Sequence, residues 1–315
     1  MIKKLWAVCL CASLILGLAG CNTIQENKQA DSDKLQIITT LFPQYDFARQ
    51  VAGDLAEVTL LLPPGTEAHT YEPSPADIIK IQKSDLFIYT GKYMERWAEG
   101  IISGLDQTKT HVLDVSEEVS LVEEAEEPGH TEEDSAAHTH QLDPHIWTSP
   151  YNAVIMVEHI RDALSVSDPA HAQAYAQNAA VYIEQLLQLD SDFQALADGA
   201  AHKKIMFGGR FAMYYFAQRY GIDYDAAYDS CSSETEPGAR LVANIIDQMK
   251  AEGIGVVYYE EMSNHAVADS IAAETGAKAL LLHSCHNVTK EELAGGATYL
   301  SLMRQNYENL KEGLY

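Results

Sequence analysis

Two Rossmann-like α/β lobes, with parallel sheets joined by one long backbone helix and a cleft between them, are the architecture the sequence predicts. Three observations predict it. Short apolar runs alternate with helical patterns along 35–115 and again along 203–313, the rhythm of parallel sheets wrapped by helices. One helical pattern of about 30 residues lies between the two runs, ~45 Å at 1.5 Å rise. Roughly 300 residues remain beyond the leader, enough for two cores.

The elements follow in order. LQIITTL (35–41) reads as a strand, and Pro43 opens a helix through Gln50. EVTLLL (57–62) is a strand stopped by Pro63-Pro64-Gly65. Ser74-Pro75 starts a helix, with serine as cap and proline in the first turn. DLFIYT (85–90) is a third strand, followed by a helix over 93–104 and the short strand HVLDV. Residues 117–141 break the rhythm with nine acids, three histidines and no Lys or Arg, the composition of a loosely ordered loop. Ser149-Pro150 caps a helix over 150–165. Tyr175, Ala179, Tyr182, Leu186, Leu189, Phe193 and Leu196 recur at three or four along the long helix. The second run reads KKIMF (203–207) as strand, helices 211–220 and 238–252, GVVYYE (255–260) as strand, helix 265–275, AKALLL (277–282) as strand and a closing helix near 297–313. The lobes are therefore expected at 35–166 and 199–315, with 167–198 as the link.

The chain opens MIKKLWAVCLCASLILGLAGC. Lys3 and Lys4 form a basic segment, the apolar run that follows is short for a membrane span, and small residues precede Cys21; residues 1–20 read as a secretory signal peptide. Cysteine directly after them resembles a lipobox, which implies an acylated Cys21 and a cell-membrane anchor, with 22–34 as a polar tether. The net charge of −25 becomes −27 once Lys3 and Lys4 leave with the acid-free leader. Such a surface repels nucleic acid and favours cations. Cys9 and Cys11 leave with the leader too, so the mature body keeps Cys231 and Cys285 beside the lipidated Cys21.

The candidate ligands are His69 in GTEAHTYEPSP, His145 in LDPHIW, Arg210 at the end of FGGR and His283 in HSCH. Three of these four positions follow strands directly, and in open α/β sheets ligands sit beyond the carboxyl ends of strands. Two come from each half, so the interlobe cleft is their meeting place. No Gly-rich phosphate loop with Lys and no nucleophile triad can be read, so no enzymatic step is expected. Gly208-Gly209 reads as a tight turn behind its strand.

GTEAHTYEPSPADI, DPHIWTSP, YFAQRYG, SIAAETGAK and TYLSLMRQNYENLKEGL, in this order, resemble the cluster A-I metal-binding lipoproteins, the zinc/manganese solute-binding subunits of bacterial ABC importers. The resemblance covers essentially all of the mature chain. It implies capture of Zn²⁺, with Mn²⁺ second, for delivery to a permease and its ATPase by a monomer. His69 and His145 match the family's two first-lobe ligands. The acidic loop with His130, His138 and His140 is similar to that of the zinc-type members; these three either collect zinc weakly or do nothing.

Two positions depart from the pattern. The family's third ligand falls at Arg210, which has no lone pair to give; a carboxylate such as Glu234, Glu236 or Glu260 would have to lie between it and a cation, and a pairing of Glu260 with Arg210 is expected. The fourth falls at His283, with His286 as a further candidate. Cys231, in DSCSSETEP, and Cys285 stand beside these anomalies. A disulfide is the first expectation, zinc thiolates the second, and two buried thiols the third. Rival readings keep the fold with an anionic or metal-chelated solute on Arg210, make the protein a surface adhesin, or make it a zinc hydrolase, for which no base stands at recognisable spacing.

Overall fold

The computed structural model describes residues 34–123, 142–229 and 239–315. The leader, Cys21, Cys231, Glu234, Glu236, and the loop histidines His130, His138 and His140 lie outside the described residues, and with them the expectations placed there.

Leu35–Tyr315 is one compact unit built on two four-stranded parallel sheets. The first takes β1 (Leu35–Thr39), β2 (Ala56–Leu60), β3 (Leu86–Tyr89) and β4 (His111–Asp114) in the order β2-β1-β3-β4. The second takes β5 (Lys204–Phe211), β6 (Asp223–Asp229), β7 (Val256–Tyr259) and β8 (Lys278–Leu281) in the order β6-β5-β7-β8. The helices are α1 (Phe42–Ala52), α2 (Pro75–Lys83), α3 (Ala98–Ile102), α4 (Pro150–Ser167), α5 (Ala172–Gly199), α6 (Tyr214–Tyr220), α7 (Ala239–Glu252), α8 (Ala266–Thr275), α9 (Lys290–Ala294) and α10 (Tyr299–Leu314). This is the predicted α/β class with two sheets and a long helix between them.

Local chemistry accounts for the helix starts. Ser74 accepts the Asp77 amide and Asp77 returns to the Ser74 amide, a capping box with proline inside the first turn. Thr289 with Glu292 opens α9 in the same way. The long helix α5 has 28 residues, ~42 Å of rigid rod. Its buried stripe of Tyr175, Ala179, Tyr182, Leu186, Leu189 and Phe193 joins a single core cluster that runs from Ile37 in the first sheet to Leu314 in the last helix. The lobes share that core, so a wide hinge would expose apolar surface at about 25 cal/mol per Å².

Several expectations are corrected. The strand β6 was not expected: its sequence DYDAAYD is rich in acids, because it is the edge of its sheet and only part of it packs inward. The helix expected over 93–104 shrinks to Ala98–Ile102, and the short α9 was not expected. Arg210 does not follow its strand but lies within it, where the pairing with β6 shifts register between Phe207 and Arg210. Gly208 and Gly209 make no left-handed turn. A side chain at Gly208 would stand 2.6 Å from the Ala268 Cα, and one at Gly209 would collide with the Glu260 carboxyl; both glycines serve close approach.

Candidate metal site

The loop after β2 carries His69, and the amide of His69 donates to Glu67 Oε1 at 3.2 Å. The DPH turn before α4 carries His145. There Asp143 Oδ1 accepts the His145 amide at 2.8 Å and stands 2.9 Å from its ring Nδ1. The Tyr215 hydroxyl, from α6, holds the Asp143 carbonyl at 2.6 Å. Both His145 and Asp143 are buried. A carboxylate only accepts, so Nδ1 carries the proton and His145 Nε2 keeps its lone pair.

That lone pair faces the first loop. His69 Nε2 lies 3.1 Å from His145 Nε2. With Zn–N bonds of 2.0–2.1 Å, a shared ion between them would subtend about 95–100°, a little tighter than a tetrahedron. Part of His69 remains open to solvent. Desolvation, then the charges of His145, His286, Arg210 and Arg96, push its pKa down to about 2. Solvent on the open side moderates the depth of that shift and not its direction, so the ring is a neutral donor.

The second lobe brings His286 to this pair. Its ring centroid lies 6.2 Å from that of His69 and 6.4 Å from that of His145. His286 Nδ1 is 3.2 Å from Glu261 Oε1 and 2.8 Å from Ser284 Oγ, which leaves Nε2 as the outward nitrogen. Glu261 also accepts the Ser284 amide at 2.7 Å. Burial works against its charge, but His283 and His286 and these hydrogen bonds win, holding its carboxyl well below the usual range. His145 and His286 thus share one device, a carboxylate behind the imidazole that fixes tautomer and aim. Among the described residues no three His, Cys, Asp or Glu groups already form a closed metal-holding set.

His283, the expected second-lobe ligand, points elsewhere. It is buried, its Nδ1 accepts the Cys285 amide at 2.9 Å, and its ring lies 3.6 Å from Glu261 and 3.7 Å from Glu292. These carboxylates outweigh burial and raise its pKa, while Glu292 falls to about 2, chiefly through its close pairing with His283. The physical reason is Cys285, whose φ of 66° reverses the chain between the two histidines. Cys285 is buried with a free thiol, so the expected disulfide is not formed at its described end. Burial, then Glu261, Asp46 and Glu292, push that thiol well up, which disfavours the thiolate a metal needs.

Arg210 stands at the rim, with Nη1 3.7 Å from Glu67 Oε2. The expected partner Glu260 meets Arg210 through its backbone amide as well as its charge; burial nonetheless raises the Glu260 carboxyl.

The two sides are tied together. Trp147 donates to the Ser284 carbonyl at 2.8 Å, Asn287 donates to the carbonyls of Pro63 and Thr66 at 2.9 and 2.8 Å, and Gly65 donates to Val288 at 2.9 Å. Glu261, Asp143 and Trp147 were not singled out from sequence. The Asp-x-His spacing of DPH was the one available signal, since an acid two residues before a ligand can fold back onto its ring.

Comparisons with known proteins bear on this arrangement. The family description "Zinc-uptake complex component A periplasmic", ZnuA, matches residues 37–313. The zinc-binding lipoprotein AdcA of Streptococcus pneumoniae is 37% identical over 306 residues, which cover 96% of this chain. The chain spans only 59% of that relative's length. The high-affinity zinc uptake system protein ZnuA of Bacillus subtilis is 34% identical over 317 residues, covering 100% of this chain and 99% of the relative. Among solved structures, the Zn(II)-bound ZnuA-like domain of the pneumococcal AdcA superposes with a TM-score of 0.75 at 35% identity, covering 89% of this chain and 99% of that one.

Proposed function

The chain belongs to the ZnuA family of zinc-uptake components, and from that premise we propose that it captures Zn²⁺ outside the cytoplasmic membrane and delivers it to an ABC permease. The observation that carries this reading is the 3.1 Å approach of His69 Nε2 to His145 Nε2, with His286 as the third imidazole from the opposite lobe. Three nitrogen donors favour zinc over manganese. The zinc named for the pneumococcal and Bacillus relatives supports the same cargo.

In this reading His69, His145 and His286 hold the ion, and Asp143 and Glu261 orient two of them. His283 buttresses Glu261, and Cys285 is core. The ion is cargo, so the site needs capture and release and no chemical step. The lobes share a core and are cross-tied, so the ion reports its presence to a permease through the loops around it. The partners are the permease and ATPase of one importer, which the zinc-uptake naming of the relatives supports. Cys21 after Leu18-Ala19-Gly20 supports a lipid anchor on the outer face of the membrane. Among the described residues no helix is long and apolar enough to cross it.

The test is metal analysis of the purified protein, with calorimetric titration of Zn²⁺ and Mn²⁺. The reading expects one tightly bound zinc per chain and its loss in the His69→Ala/His145→Ala double variant. A double variant binding zinc as tightly as wild type contradicts it.

A further inference from the structure

Asp143 aims His145, and the backbone of Asp143 is itself held at both ends. Its amide donates to the Val122 carbonyl at 2.9 Å. Its carbonyl accepts the Tyr215 hydroxyl at 2.6 Å. The same hydroxyl accepts the Val122 amide at 3.3 Å. The segments of Val122 and Asp143 also meet through the antiparallel bridge of Glu123 with Leu142. One buried phenol thus ties both segments, donating once and accepting once, as a hydroxyl can.

That phenol belongs to the other lobe, in the first turn of α6, just after β5. Asp143 lies in no helix or strand, so these contacts stand in for the ladder that would otherwise satisfy and hold its backbone. The carbonyl that Tyr215 grips is part of the planar peptide to Pro144, and the proline ring fixes φ of the next residue. The turn into His145 therefore starts from a clamped peptide and runs through a stiff residue. From there the Asp143 carboxylate meets the His145 amide and Nδ1 at 2.8 and 2.9 Å.

We propose that Tyr215 is a positioning residue for the metal. From the second lobe it fixes the Asp143 backbone, and through Asp143 it fixes the tautomer and aim of His145. The proposal rests on His145 being a zinc ligand. It makes a first-lobe ligand depend on a second-lobe hydroxyl, so the docking of α6 helps to set the affinity of the site.

Tyr215→Phe in the whole mature chain tests this, because it keeps the packed ring and removes only the hydroxyl. Competition with a zinc chelator reads the affinity. Imidazole nitrogen NMR of the metal-free protein reads the His145 tautomer, which a loss of stability alone does not move. Wild type is expected to carry the proton on Nδ1 only. Tyr215→Phe is expected to show both tautomers and to bind zinc about tenfold more weakly or worse, the scale of a change behind a ligand. Tyr220→Phe is the control: it lies on the same helix, and its hydroxyl donates to Asp190 at 2.8 Å. It is expected to keep the wild-type tautomer and a zinc affinity within about twofold. A third readout needs no variant. By linkage, zinc should slow exchange of the Tyr215 hydroxyl proton in wild type more than that of Tyr220. A Tyr215→Phe variant with a single tautomer or with wild-type zinc affinity overturns the proposal. So does a Tyr220→Phe variant that loses as much affinity, or a Tyr215 hydroxyl that zinc slows no more than Tyr220. A His145→Ala variant that binds zinc as tightly as wild type instead overturns the ligand assignment on which the proposal rests.

Discussion

The indole of Trp147 donates to the carbonyl of Ser284 at 2.8 Å, and the carbonyl of Trp147 in turn accepts the Tyr299 hydroxyl at 2.7 Å. Trp147 lies two residues after His145, and Ser284 lies two before His286. This hydrogen bond is therefore one of the ties that fix the separation of imidazoles from opposite lobes. Trp147→Phe keeps an aromatic ring but loses part of the buried volume and strands the buried Ser284 carbonyl, the lost hydrogen bond alone costing about 1–3 kcal/mol. Denaturant unfolding of the metal-free protein should show that loss, and zinc titration should show weaker binding although no ligand is removed.

His286 and His283 should behave oppositely when replaced. His286→Ala should weaken zinc binding by more than about 100-fold, beyond the range of changes behind the ligands, with little loss of stability. His283→Gln should leave zinc affinity within about tenfold. It should destabilise the protein by about 1–3 kcal/mol, because the buried Cys285 amide loses its acceptor and Glu261 loses the ring packed against it. Paired calorimetry and urea melts separate the two; the reverse pattern would return the ligand role to His283.

Asp143→Asn should lower zinc affinity by about 10–100-fold without unfolding the DPH turn, since the amide oxygen can still accept the His145 N–H groups. Far-UV circular dichroism checks the fold, and competition with a zinc chelator reads the affinity.

Glu95 predicts a pH dependence. It is buried at the carboxyl ends of β1 and β3, where Thr40 donates to it and the Thr90 amide donates at 3.0 Å. Burial raises its carboxyl to about 8, against 4.5 when unfolded. Below pH 4.5 both states hold the proton; between 4.5 and 8 only the folded state does. Stability from this group is therefore complete in acid and is lost as pH rises toward 8, by up to a few kcal/mol. Urea melts of metal-free wild type at pH 5.5 and 8 should show the decline, and Glu95→Gln should flatten it. Glu261 and Glu292 act in the opposite sense, losing their contribution as pH falls below the usual carboxylate range, so Glu95 is read best above pH 5.

The fold was largely legible because its signals are local. Apolar runs, the Ser74-Pro75 start and the three-four stripe from Tyr175 to Leu196 each act within a few residues. Strand β6 was not legible, since an acid-rich edge strand carries no apolar alternation. His69 and His145 were legible as a pair through short motifs in ordered turns. The choice between His283 and His286 was not, because it depends on the left-handed Cys285 and on Glu261, which is 25 residues from His286 along the chain. The approach of Glu67 to Arg210 was missed for the same reason. Glu67 comes from the other lobe, and no spacing within 203–260 announces it.

The most direct test of the central claim is zinc K-edge X-ray absorption on the stoichiometric complex. The account predicts three imidazole nitrogens at 2.0–2.1 Å, one further oxygen and no sulfur. A scatterer at about 2.3 Å, the Zn–S distance, or fewer than three imidazoles would contradict it.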